Sequence, residues 1–208
     1  MEIPIGLHKP EKCGYYGKHL LFFPSRKNRR QEICNSVLEA DYCVLLEWDK
    51  QVVHYDSQPG VLEVRVGGHK QRYRPDFRVE TSESTYFTEV KYDFETIHPT
   101  ARAKLWAASE MLAEKGYRLA FADSRSIRCG HRLTNLKFLY FHSFNVSDEE
   151  KVDCHRWLGT FTYPVRLREL IYPDAAVRER AIYRALFEGK ISVDFNEQMT
   201  FNSLVEQT

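Results

Sequence analysis

The chain has 208 residues, 43% of them hydrophobic and 28% charged, which is enough to bury an α/β core with a small second module and excludes a disordered chain. Its net charge of +1 does not by itself announce a nucleic-acid partner, so any such contact must come from local patches. The five scattered cysteines contain no CxxC pair and support neither a zinc site nor a disulfide framework. No apolar run approaches the roughly 20 residues that span a bilayer, and no signal-peptide core is visible. The expectation is a reduced, cytoplasmic protein with no membrane association.

In chain order, residues 1–35 carry seven cations (Lys9, Lys12, Lys18, Arg26, Lys27, Arg29 and Arg30) against Glu2, Glu11 and Glu32. This arm offers phosphate contacts, with Arg29 and Arg30 as its DNA-binding candidates. Tyr15-Tyr16 and Phe22-Phe23 read as packing residues. From Asn28 to Trp48 the apolar residues Ile33, Val37, Leu38, Val44 and Leu45 recur at helical spacing. Strands are predicted over Val52–Tyr55, Val61–Val66, Tyr73–Val79 and Tyr86–Tyr92, with turns at Gly67-Gly68 and Ser82–Ser84. A second helix runs from Pro99 to Lys115 and closes at Gly116, with Lys104 a further DNA-binding candidate. Strands over Arg118–Ala122 and Phe138–Phe141 complete a mixed α/β core.

The polar stretch Ser143–Val152 reads as a boundary, giving a core domain over 1–145 and a second domain over 150–208. In the latter, Leu167 and Leu170 mark one short helix and Ala175–Phe187 another, stopped by Gly189 and followed by a strand over Ile191–Phe195. Helix, turn, helix, strand is the pattern of a small helical, winged-helix-like module. Arg178 and Arg184 are its DNA-binding candidates.

Chemistry concentrates in Arg74-Pro75-Asp76-Phe77 and Phe87-Thr88-Glu89-Val90-Lys91. Side chains two apart on a strand share a face, so Glu89 and Lys91 point the same way and Val90 points to the core. A hairpin brings Asp76 beside them. Two carboxylates and an ammonium at a sheet edge suit phosphodiester hydrolysis. Hard oxygen ligands select Mg²⁺, with Mn²⁺ as a substitute, and the lysine can orient a water or stabilise transition-state charge. A further ligand is expected from the first helix. Glu39 sits among apolar residues and needs a partner there, whereas Glu32 and Glu47 read as solvated, and Asp41 is a fallback.

The run Ser36-Val37-Leu38-Glu39, then Gln58-Pro59, Arg74-Pro75-Asp76-Phe77 and Thr88-Glu89-Val90-Lys91 resembles the TnsA family, the endonuclease subunits of heteromeric transposases. The resemblance extends through Arg102-Ala103-Lys104-Leu105-Trp106 and Lys115-Gly116-Tyr117 and covers roughly residues 25–142. It implies a restriction-endonuclease-like PD-(D/E)xK core with a helical C-terminal domain, in a short form like those of CRISPR-associated transposons. Glu39, Asp76 and Glu89 would bind the metal and Lys91 would be the catalytic lysine. A well-known member has glutamine where this chain has Glu89. The family's enzymes cut the 5′ ends of double-stranded transposon DNA beside a TnsB transposase and a TnsC ATPase regulator, in the bacterial cytoplasm. Two alternatives are a stand-alone restriction or repair nuclease of the same fold and a non-catalytic assembly adaptor.

Overall fold

A computed structural model describes residues 20–171 and 178–208. Lys9, Lys12, Lys18, Tyr15-Tyr16 and the expected helix start at Ala175 lie outside the described residues. The chain divides into two compact units, Met1–Ile127 and Arg128–Thr208.

The first unit opens with an antiparallel hairpin of β1 (Leu21–Ser25) and β2 (Arg30–Cys34), paired from Leu21↔Cys34 to Ser25↔Arg30. The helix predicted from Asn28 therefore starts late, as α1 (Val37–Trp48). Ile33 matched its helical spacing by coincidence. The actual start is set by Ser36, whose side chain accepts from the Glu39 amide as an N-cap. Next come β3 (Val52–Ser57) and a tight hairpin of β4 (Leu62–Val66) and β5 (His69–Tyr73). Gly67 and Gly68 connect the latter with φ of +57° and +83°, the paired positive values that a two-residue hairpin turn requires and that only glycine adopts without strain.

The strand expected over Tyr73–Val79 is broken. Pro75 cannot donate to a ladder, and Arg74–Asp76 instead carry the chain from β5 into a different sheet. There β6 (Phe77–Thr81) and β7 (Thr85–Lys91) form a hairpin, α2 (Pro99–Glu114) crosses over, β8 (Arg118–Asp123) pairs parallel to β7, and α3 (Ser124–Ile127) closes the unit. The result is a mixed four-stranded sheet, β3-β6-β7-β8, flanked by helices. Alternation assigns the faces. Phe77 and Thr88 meet Tyr42 of α1, by an edge-on ring contact at 5.3 Å and a hydroxyl contact at 3.3 Å. Phe87 and Leu119 pack with Leu105, Ala108 and Leu112 of α2 and with Leu62, Val64 and Tyr73 of the small hairpin.

The second unit contains α4 (Arg132–His142), α5 (Asp148–Leu158), β9 (Val165–Arg166), α6 (Leu167–Ile171), α7 (Glu179–Phe187), β10 (Ile191–Ser192) and β11 (Leu204–Gln207), with antiparallel strand order β10-β11-β9. Phe138–Phe141, expected as a strand of the core, lies inside α4. A four-residue apolar run fits either period, and the wider set Leu133, Leu136, Leu139 and Tyr140, all buried, has the helical one. The acidic stretch read as a boundary is the first turn of α5, where Ser147 and Glu150 cap each other reciprocally and the carboxylates meet the positive end of the helix. The division between units accordingly falls earlier, between Ile127 and Arg128. The expected strand to Phe195 shrinks to Ile191–Ser192.

Candidate active site

The β6–β7 hairpin delivers the central pair. Pairing of these strands runs out at Phe77↔Thr88, and the Asp76 carboxylate takes the next amide, accepting from Val90 N–H at 2.7 Å. Glu89 and Lys91 stand on one face of β7, as the alternation requires, with Lys91 Nζ 2.6 Å from Glu89 Oε1 and 3.6 Å from Asp76 Oδ2. Val90 is buried. The other oxygen of Glu89 accepts from the Tyr73 hydroxyl at 2.7 Å.

Glu39 joins from α1. One of its oxygens accepts from the Asn35 amide at 2.9 Å and the other from the Ser36 hydroxyl at 3.1 Å, so the residue also closes the helix cap. Gln58 links it to the strand pair, its Nε2 donating to Glu39 Oε2 at 3.3 Å and to Asp76 Oδ1 at 3.4 Å. The four expected residues thus belong to one chain of contacts: Glu39, Gln58, Asp76, Lys91, Glu89, Tyr73.

Burial makes this cluster electrostatically costly. It pushes the Glu39 carboxyl upward, and the charge of Asp76 adds to that, outweighing the bonds from Asn35, Ser36 and Gln58. Burial likewise raises Asp76 against the opposing pull of Lys91 and the Val90 amide. Glu89 is raised by burial and then by Asp76. For Lys91 burial works downward, but Asp76, Glu89 and Glu39 overcome it and hold the ammonium above its ordinary value. Three crowded carboxylates therefore share one ammonium.

Hard oxygen donors of this kind suit Mg²⁺ or Mn²⁺, and the surplus negative charge is what a divalent cation neutralises. Among the described residues, no three His, Cys, Asp or Glu side chains already stand at metal-holding spacing. An amide N–H₂ lies between Glu39 and Asp76, and an ammonium between Asp76 and Glu89. The donor chemistry fits; a cation among these oxygens needs Gln58 or Lys91 to turn aside.

Glu32 and Glu47, expected in solvent, are only 2% and 6% exposed, which corrects that reading. The β1–β2 hairpin and β3 together supply their partners. Glu32 accepts from Arg30 Nε at 2.7 Å, Asn28 Nδ2 at 2.8 Å and the Ser57 amide and hydroxyl at 2.9 Å. Glu47 accepts from the Ser25 hydroxyl at 2.5 Å and the Tyr55 hydroxyl at 2.9 Å. Both are thus engaged away from the Asp76 cluster. Asp41, buried two residues beyond Glu39, is turned by about 200° around α1 and faces another side.

The candidate DNA contacts divide. Arg29 is exposed at a positive φ of 54°, whereas Arg30 is committed to Glu32 and, at 2.6 Å, to Asp56. Lys27 is also used internally, its ammonium donating to the carbonyls of Asp49, which caps α1, and Val52, which opens β3. Lys104 is half-buried on α2. In the second unit Arg178 lies 3.3 Å from Glu150, and Arg184 pairs with Glu188. Tyr73 went unseen in the sequence because its partner is 16 residues away in another sheet. No protein-family model matches the chain, and no curated protein matches it in sequence.

Proposed function

We propose that this chain is a metal-dependent DNA endonuclease with a PD-(D/E)xK core of restriction-endonuclease type, akin to TnsA, cutting the 5′ ends of a transposon beside a TnsB-like transposase and a TnsC-like ATPase. The observation that carries the reading is the convergence of Asp76, Glu89 and Lys91 at the end of the β6–β7 hairpin, with Lys91 Nζ in contact with both carboxylates. Glu39, Asp76 and Glu89 would hold Mg²⁺ or Mn²⁺, which when bound polarises the scissile phosphate and acidifies a coordinated water. Lys91, kept protonated by the carboxylates around it, donates to an attacking water or to the phosphate oxygens and offsets charge that develops there. Tyr73 and the Val90 amide hold Glu89 and Asp76 in place before substrate arrives.

The second unit supports a winged-helix reading. Its order α5, β9, α6, α7, β10, β11, with β11 central in the sheet, is the helix–strand–helix–helix–hairpin sequence of such modules. Six of the nine residues of α7 are buried, however, and Arg178 at its start and Arg180 and Arg184 within it are paired with glutamates. That favours a role in contacting partner protein over insertion of α7 into a DNA groove. The test of the whole reading is a reconstituted reaction with transposase, Mg²⁺ and end-labelled element DNA. Wild-type protein should cleave the 5′ ends and Asp76→Ala should not; normal cleavage by Asp76→Ala overturns the proposal.

A further inference from the structure

Gln58 holds a backbone conformation that its side chain does not explain. Its φ of +50° lies in the left-handed region, where glycine or asparagine is the ordinary choice. The turn itself uses only the main chain, through the Gln58 amide donating to the Asp76 carbonyl at 2.7 Å. A long carboxamide adds nothing to that turn. Yet the residue is only 6% exposed, and its Nε2 is aimed between carboxylates from two different elements, Glu39 of α1 and Asp76 ahead of β6.

A carboxamide is the one neutral side chain that carries a donor and a hard oxygen acceptor on the same planar group, exchanged by a half-turn about its last torsion. With Nε2 inward it bridges two carboxylates that would otherwise repel. With Oε1 inward it offers a third kind of oxygen to a cation lying between them.

We propose that Gln58 is a ligand-positioning residue and a direct oxygen donor of the divalent-cation site. Its amide spaces Glu39 and Asp76 in the metal-free protein and turns its oxygen inward when the cation enters. This rests on reading the carboxylate cluster as a cation site.

The test uses the full chain with Mn²⁺ alone, by titration calorimetry and by thermal melts with and without the ion, and needs no cleavage. Asp76→Ala reports on the cation site itself. Gln58→Met keeps length but loses both donor and oxygen, whereas Gln58→Glu keeps an oxygen and loses the donor. The expected result is binding and heat stabilisation in wild type, loss of both in Asp76→Ala, and a Kd raised about tenfold or more in Gln58→Met. Gln58→Glu should melt lower than wild type without metal, from added repulsion, yet bind Mn²⁺ at least as tightly and gain a larger melting shift. If Gln58→Met binds within about twofold of wild type, or Gln58→Glu binds as weakly as Gln58→Met, the ligand role is overturned while the cation site stands. If wild type does not bind Mn²⁺, or Asp76→Ala binds equally well, the cation site fails and the inference falls with it. Circular dichroism of each metal-free variant separates these outcomes from loss of fold.

Discussion

Replacing Lys91 by methionine removes a cation in contact with both the Asp76 and Glu89 carboxylates while preserving side-chain length. Stranding a partner of a fully buried ion pair costs about 3–5 kcal/mol. The Lys91 side chain is 37% exposed, so solvent screens part of the pairing and the expected loss at neutral pH is about 1–3 kcal/mol. Its dependence on pH is more diagnostic than its size. Glu39, Asp76 and Glu89 are all raised, by burial first and, for Glu39 and Glu89, by the charge of Asp76 as well. Each therefore holds its proton more tightly folded than unfolded. Stability from these groups is fully present below the ordinary carboxylate range, near pH 4, and is lost as pH rises through the raised values. Lys91 is itself raised, so its stabilising charge persists throughout that window and fades only above its ordinary value of 10.5. Without it the carboxylates rise further. Lys91→Met should thus cost less at pH 5 than at pH 8, measured by urea unfolding in chelator, and excess Mn²⁺ should recover part of the loss at pH 8. An equal loss at both pH values, or a greater one at pH 5, would refute the reasoning.

Tyr73→Phe leaves one oxygen of buried Glu89 without its donor; thermal unfolding should show a loss of about 1–3 kcal/mol, and cleavage by the reconstituted system should fall. Ser36→Ala removes the α1 N-cap and one bond to Glu39, for about 1 kcal/mol in chemical denaturation, with weaker Mn²⁺ binding as the sign that Glu39 has moved. In the second unit, buried Asn135 donates to the Phe195 and Glu197 carbonyls at 3.1 and 2.7 Å and accepts from the Met199 amide at 3.0 Å. Asn135→Ala should cost about 1–3 kcal/mol for each group denied water and accelerate hydrogen exchange at Met199, whereas unchanged exchange would mean that the 193–203 loop is held by other contacts.

What the linear order of residues determined about this site is what depends on local geometry. A period of two places Glu89 and Lys91 on one face of β7 and Val90 on the other, whatever surrounds them. Proline before Asp76 ends one pairing and lets the carboxylate lead the next strand. Ser36 ahead of an apolar run places the start of α1, and paired glycines at 67 and 68 set a hairpin. The same local logic failed where a short apolar run fits two periods, as at Phe138–Phe141, and where Ile33 matched a helical spacing from within a strand.

Tertiary structure decided everything that rests on which elements meet. Glu32, Glu39 and Glu47 lie on the same stretch and look alike in composition. Only the meeting of the β1–β2 hairpin with β3 surrounds Glu32 and Glu47 with donors, while Glu39 is left facing Gln58 and the Asp76 strand. Tyr73 reaches Glu89 from a separate sheet, and Arg30 and Arg178 spend charge on Asp56 and Glu150, carboxylates that no periodicity could pair with them. The physical reason is common to all of these. A dihedral preference acts over three or four residues, but a buried charge takes its partner from whatever the completed fold places within about 3 Å.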